Sequence, residues 1–322
     1  MSETTATPFE TFTESDLRQL FDRQEYVAED DIVIPVLLAL RLGKPLLIEG
    51  DPGSGKTELG KVLAAGLETE LVRLQCYEGL AAENTLYEWN YTKQLLSVQA
   101  GERGVTDDGS VFDEEHLLER PLLRALSGDR DRPAVLLIDE VDRADQEFEA
   151  LLLEFLSEFQ VTVPELGTVE ASVPPIVLLT SNRTRGLSDA LKRRCLYLHV
   201  EPPSFEKERE IVRRKAPELD GPTAAEICGV VQRLREEPLL KQPGIAETLD
   251  WSRALLALRS GTDDDSAATD DGDPDTALSP QLIDRTLSCL LKEVEDASRI
   301  DDDLLETLAR AASDARERAE AQ

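Results

Sequence analysis

The stretch that most constrains this chain is Gly50-Asp51-Pro52-Gly53-Ser54-Gly55-Lys56-Thr57, which satisfies the pattern G-x-x-x-x-G-K-[ST] without a mismatch. Its glycines let the backbone turn tightly enough for successive N–H groups to point inward at a polyphosphate. Lys56 brings a full positive charge to the β- and γ-phosphates, and the Thr57 hydroxyl can ligate Mg²⁺. An apolar run at 45–49 leads in as a strand, and 58–67 leads out as a helix whose N-terminal dipole favours an anion. Gly50 through Thr57, with Glu58 opening the helix, are therefore the expected nucleotide-binding residues.

A second anchor is Ala134-Val-Leu-Leu-Ile-Asp139-Glu140, 83 residues after Lys56. Five apolar residues ending in two carboxylates describe a central parallel strand, buried on both faces, that delivers acids at its C-terminal end. Asp139 would hold Mg²⁺ through its water shell, and Glu140 would orient and deprotonate the attacking water. A further buried strand, Pro175-Ile-Val-Leu-Leu-Thr-Ser-Asn182, ends in polar residues. Asn182 either hydrogen-bonds the γ-phosphate or the lytic water, or simply caps a loop. A short helix over 187–194 closes with Lys192-Arg193-Arg194, where the helix dipole alone would favour basic residues. Cys195–Val200 reads as the last strand.

Length and composition bound the rest. At 322 residues with 41% hydrophobic content, the chain can bury an α/β core and a smaller second domain. No apolar run approaches the roughly 18–20 residues that span a membrane. The N-terminus lacks the basic and apolar regions of a signal peptide, so a cytoplasmic protein is expected. The formal net charge is −31, and only nine of the 35 basic residues are Lys. That argues against nucleic acid as a partner, since binding phosphates calls for a basic stripe. Cys76, Cys195, Cys228 and Cys289 lie far apart, and neither His116 nor His199 sits near one at metal-ligand spacing, so free buried thiols are expected.

Along the chain, short helices are expected from about 14 and over 31–42, with Tyr26 to Ala28 between them as candidate adenine contacts. Residues 71–75 read as a second strand. Between 77 and 112 aromatics cluster (Tyr77, Tyr87, Trp89, Tyr91), either as a partner-binding face or packed as an insertion on the core. A helical period runs over 113–127, an amphipathic helix over 146–159, and a hairpin over 161–170 turning at 165–167. The expected α/β core thus covers 1–202, with an insertion near 77–112 and a hairpin near 160–173. After Pro202-Pro203 the pattern is helical to the end, with helices over 205–215, 223–235, 249–260, 280–295 and 301–319. Residues 261–279 hold seven aspartates and read as a solvated loop.

Glu140 after Asp139, Asn182, and the paired Arg193-Arg194 together resemble the AAA+ ATPases, a P-loop NTPase fold with a parallel-sheet core, helices on both faces and an all-helical lid. The hairpin resembles the pre-sensor-1 insertion of the MoxR branch. Several stretches look like the CoxD group, the MoxR-type ATPases linked to carbon monoxide dehydrogenase maturation. They include Arg73-Leu-Gln-Cys-Tyr-Glu-Gly79, Tyr87-Glu-Trp-Asn-Tyr91, Glu119-Arg-Pro-Leu-Leu-Arg124, Thr180-Ser-Asn-Arg-Thr-Arg185 and Asp189-Ala-Leu-Lys-Arg-Arg-Cys-Leu-Tyr197, along with the run from Phe155 to Gly167. The resemblance implies a ring, usually a hexamer, with ATP and Mg²⁺ between subunits. Arg194 matches the arginine finger, with Arg193 in reserve, and Arg253 matches the sensor-2 arginine. Gln75 matches the position that restrains the catalytic glutamate. A partner with a von Willebrand factor A domain is implied as well, and a metalloenzyme client of the molybdenum hydroxylase type. The rival reading is an ATP-gated assembly scaffold with negligible turnover.

So acidic and Lys-poor a surface also fits a saline cytoplasm, where salt shrinks self-repulsion to a few ångströms. The melting temperature should therefore rise between low and molar KCl, as followed by circular dichroism.

Overall fold

The computed structural model describes residues 7–80, 83–89, 117–127, 132–163, 167–260 and 278–321. Its strands are β1 (Leu46–Gly50), β2 (Leu71–Gln75), β3 (Tyr87–Trp89), β4 (Leu117–Glu119), β5 (Val135–Asp139), β6 (Gln160–Val163), β7 (Gly167–Glu170), β8 (Ile176–Ser181) and β9 (Leu196–Val200). Five of them form one sheet in the order β2-β5-β8-β1-β9, and every pairing is parallel. Every residue of β1 and β5 is buried, as parallel strands covered on both faces require. Strand order reverses at β1, with β8 on one side and β9 on the other, and ligands of open α/β sheets sit beyond the carboxyl ends of the strands at such a point.

The two faces are filled by alternation along the strands. Leu136 and Ile138 of β5, with Val177 and Leu179 of β8, join Phe148, Leu152 and Phe155 of the helix Gln146–Glu158 in one apolar cluster. Each of those large side chains is fully buried or nearly so, contributing about 1.5–3 kcal/mol. Leu137 and Leu178 come up against Gly60 of the helix Lys56–Gly66. Helix ends follow local chemistry. Thr13 and Asp16 form a reciprocal capping box at the helix Glu14–Arg23. Asp145 and Ser188 cap the helices Gln146–Glu158 and Asp189–Arg194 by accepting from Phe148 and Leu191 amides.

Two expectations are corrected. The helical period over 113–127 does not hold at 117–119, which form β4, antiparallel to β3, and only Pro121–Leu126 is helical. Pro121 pushes Arg120 into the extended region and then starts the helix itself (Arg120 has ψ 170°). The single helix expected over 280–295 is instead Pro280–Thr286, a 3-10 turn Leu287–Cys289 and a short helix Val294–Ala297. Thr286 bonds back to the Leu282 carbonyl while accepting from the Trp251 indole, which disturbs the regular ladder there. The hairpin is present as β6 paired with β7, its expected turn at 165–167 reaching beyond the described residues except at Gly167. Most of the insertion near 77–112, with Tyr91, His116 and nearly all of the acidic loop, also lies outside them.

The chain divides into two compact units: residues 1–24, 28–50 and 56–200, and residues 25–27, 51–55 and 201–322. From residue 201 on, no strand occurs among the described residues of the second unit. Its helices Phe205–Lys215, Gly221–Arg235, Ile245–Ser260 and Asp302–Glu320 surround Trp251, which is fully buried. The helix expected to start at 249 begins four residues earlier, at Ile245.

A buried ion pair ties this unit together. Arg235 makes two parallel bonds of 2.7 Å to Glu208, whose carboxylate also accepts from Thr248 (2.7 Å) and Gln232 (2.8 Å). Removing one partner leaves a buried charge without compensation. Arg235→Met should therefore lose about 3–5 kcal/mol in urea unfolding. The double variant Glu208→Gln/Arg235→Met should recover part of that loss.

Candidate functional site

The phosphate loop begins where β1 ends. Gly53 and Gly55 have φ of +79° and +91°, a left-handed conformation open to glycine at little cost. The helix Lys56–Gly66 starts at once, and the buried Lys56 ammonium donates to the Gly50 carbonyl at 2.8 Å. Glu58, in the first helical turn, pairs with Lys61. Within the second unit, residues 51–55 pack on the start of the helix Ile245–Ser260, with the Ile245 amide donating to the Gly53 carbonyl at 3.1 Å.

One helical position further, the Thr57 hydroxyl donates to Asp139 Oδ1 at 3.0 Å, so this helix and the end of β5 meet at one carboxylate. The same oxygen accepts from the Thr180 hydroxyl of β8 at 2.5 Å. Thr180 in turn accepts from the Glu140 amide at 3.0 Å. Asp139 Oδ2 accepts from Arg73 of β2 at 2.6 Å, and the same Arg73 nitrogen donates to Gln75 Oε1 at 2.8 Å. Gln75 is thus held by Arg73, and its register partner on β5 is Asp139.

Glu140 leaves the strand with φ of +55°, which turns its side chain away from the path a continued strand would give it. Its Oε1 accepts from the Asn182 amide at 3.4 Å, and its Oε2 faces Arg143 at 2.9 Å. Asn182 is fixed by its backbone, which donates to Asp142 Oδ1 at 3.1 Å, while Thr184 donates to Asp142 Oδ2 through its amide (2.8 Å) and hydroxyl (2.6 Å). Burial opposes ionisation of Asp142, but the bonds from Thr184 and Asn182 outweigh it and hold its pKa below the usual carboxylate value.

Thr57, Asp139, Glu140 and Asn182 are therefore brought together, next to Lys56. The other expected residues have other neighbours. Arg194 lies exposed on its helix, with Nε donating to Ser157 at 3.1 Å and Nη1 to the Ala190 carbonyl at 3.4 Å, and Arg193 beside it is exposed. Arg253 is exposed and pairs with Asp250 at 3.2 Å. Tyr26 and Val27 fall in the second unit and Ala28 in the first. Burial pushes the Cys76 thiol up to about 12, helped by Asp139, Asp142 and Glu140, and the Cys195 thiol also up to about 12, so both are protonated at neutral pH. All four cysteines are free thiols.

Sequence reasoning missed Arg73, Thr180, Asp142 and Arg143 as parts of this cluster. The signal for Thr180 was its place two residues before Asn182, on the same face of a strand. Asp142 and Arg143 lie two and three residues after Glu140, whose left-handed turn accompanies its pairing with Arg143. Arg73 becomes visible only once β2 is known to pair with β5.

Residues 45–195 match the family model of the AAA domain, dynein-related subfamily. This segment is similar to an AAA domain. Its parallel five-strand sheet with flanking helices is the P-loop AAA+ fold. An uncharacterized protein of Staphylococcus haemolyticus is 26% identical over 243 residues, covering 73% of this chain and 85% of the relative. One from Staphylococcus aureus is 26% identical over 223 residues, covering 67% and 77%. Among solved structures, a Thermotoga maritima RuvB mutant is 17% identical with a TM-score of 0.47, covering 91% of this chain and 74% of that one. A Cytophaga hutchinsonii protein provisionally called an ATPase is also 17% identical, with a TM-score of 0.46 and coverage of 94% and 96%. No helix of the described residues is long and apolar enough to cross a membrane.

The first unit depends on Asp142 to hold the loop after β8. Asp142→Ala leaves the Asn182 and Thr184 donors without their acceptor and should cost about 2–3 kcal/mol at pH 7. Because the folded-state pKa is lowered, this contribution is full above about pH 4, the ordinary carboxylate value, and fades as pH falls through the folded value. Denaturant unfolding at pH 7 and pH 3 should show the gap between wild type and variant narrowing.

Proposed function

We propose that this chain is a Mg²⁺-dependent ATPase of the MoxR branch, close to the CoxD group, working as a cytoplasmic chaperone that remodels a metalloenzyme client. The observation that carries the ATPase reading is the meeting of Thr57, Asp139, Glu140 and Asn182 beside Lys56. The donor set suits magnesium: a hydroxyl and a carboxylate oxygen 3.0 Å apart, hard oxygen ligands with no soft sulfur or imidazole among them. Thr57 and Asp139 would hold it, and it would supply positive charge to offset that of the phosphates.

The remaining roles fall to the chain's own groups. Backbone amides of 50–57 and the Lys56 ammonium bind the phosphates. Glu140 takes a proton from the attacking water, and Asn182, already within reach of Glu140, orients that water or the γ-phosphate. Arg194, or else Arg193, is exposed and free to swing toward a neighbouring subunit, where it would neutralise charge on the transferred phosphoryl group. This makes turnover depend on a ring, by resemblance a hexamer. Arg253 would report nucleotide to the helical unit. The von Willebrand factor A partner and the molybdenum hydroxylase client rest on the sequence resemblance alone.

The rival, an ATP-gated scaffold with negligible turnover, predicts that catalytic substitutions change little. Glu140→Gln should keep nucleotide binding and lose about 10²–10⁴-fold in ATP turnover, measured by phosphate release. Arg194→Ala should also bind ATP without turnover, and mixing it with Lys56→Ala subunits should restore part of the rate. A wild-type rate no higher than that of Glu140→Gln would favour the scaffold. Mass spectrometry of proteins retained by Glu140→Gln with ATP would name the client.

A further inference from the structure

Asp139 has both carboxylate oxygens engaged, and its three side-chain partners differ sharply in freedom. Thr180 is 1% exposed and is also tied to the Glu140 amide. Thr57 sits in the first turn of the helix that starts at the phosphate loop. Arg73 alone is half exposed, its side chain 49% accessible, against 5% for the carboxylate it touches. Its guanidinium stands on a long flexible stem, and a second acceptor, Gln75 Oε1, already lies 2.8 Å from the same nitrogen.

From this geometry we infer that Arg73 is a displaceable counter-cation of Asp139, which competes with the divalent ion for this carboxylate and so sets how strongly metal and nucleotide binding are coupled. This rests on the nucleotide-binding reading above. A buried carboxylate is costly without a cation beside it, and Arg73 supplies one when no metal does. When a divalent ion arrives, two positive groups crowd one carboxylate and repel each other. Arg73, the most exposed of the three partners, would then give way and move onto Gln75. Arg73 is a positioning residue in this account. It orients Asp139 when no metal is bound, and it raises the metal concentration the site requires.

Linkage makes this measurable without hydrolysis, since metal that binds with nucleotide tightens nucleotide by the same factor. The probe is a fluorescent N-methylanthraniloyl ADP bound to the full chain, titrated with MgCl₂ from an EDTA baseline. Arg73→Met should lower the half-saturating Mg²⁺ concentration about 3–10-fold, within the usual range of coupling between sites. Arg73→Lys, which keeps the charge, should stay within about twofold of wild type. Arg73→Gln, which keeps hydrogen bonding without charge, should behave like Arg73→Met and serves if that variant does not fold. An unchanged or higher Mg²⁺ requirement in the folded neutral variant overturns the inference and leaves the ATPase reading intact. Failure of the wild-type chain to bind the nucleotide at all overturns both.

Discussion

A single buried carboxylate organises this molecule. Asp139 closes β5, an interior strand of the sheet, and its two oxygens collect a hydroxyl from the helix Lys56–Gly66, a hydroxyl from β8 and a guanidinium from β2. A polar group this buried is tolerated only when donors surround it, so the three elements are held to one another by the cost of leaving it bare. The sheet order places β2 and β8 on either side of β5, so each can reach it from its own edge. The same contacts hold the Thr57 hydroxyl and the Asp139 carboxylate, two hard oxygen donors, 3.0 Å apart.

Around that centre, loop backbone is fixed by side chains rather than by ladders. Glu140 and Arg183 adopt φ of +55° and +59°, conformations that non-glycine residues seldom take. Strained residues persist where the surroundings over-determine them, and here the determinants are visible. The Glu140 amide is pinned by Thr180, and the Arg183 guanidinium pairs with Glu49 at 3.4 Å. Glu49 also accepts from Tyr197 at 3.0 Å, so the last residue before the phosphate loop is tied to both β8's exit and β9. Asp142 closes the ring by holding the backbone at Asn182 and Thr184. Glu140 and Asn182 thus sit on short loops whose shape is set by buried side chains.

Much of this was legible in the chain. The five strands of the sheet were read within a residue or two, because a continuous apolar run bounded by polar residues has few other uses in an α/β chain. The misreadings share a cause. Leu117 and Leu118 fit a helical period with Leu122, Leu123 and Leu126, but periodicity carries no knowledge of a strand partner, and β3 captured 117–119 instead. The run 280–295 failed similarly, where Thr286 answered to Trp251 across the helical unit rather than to its own helix. Local pattern predicts local structure until a distant group offers a better bond.

The sequence by itself determined the phosphate loop, the acids that end β5, and the asparagine that ends β8. Each depends on residue type at a fixed spacing, and glycine's left-handed freedom or a strand's direction is a property of the chain alone. Tertiary structure decided which groups those residues answer to. Arg73 neutralises Asp139 because β2 lies beside β5, Gln75 is held by Arg73 rather than by Glu140, and Thr180 serves two masters because β8 lies on the other side. Strand order is fixed by how the whole set of apolar faces is buried together, so no window of sequence contains it.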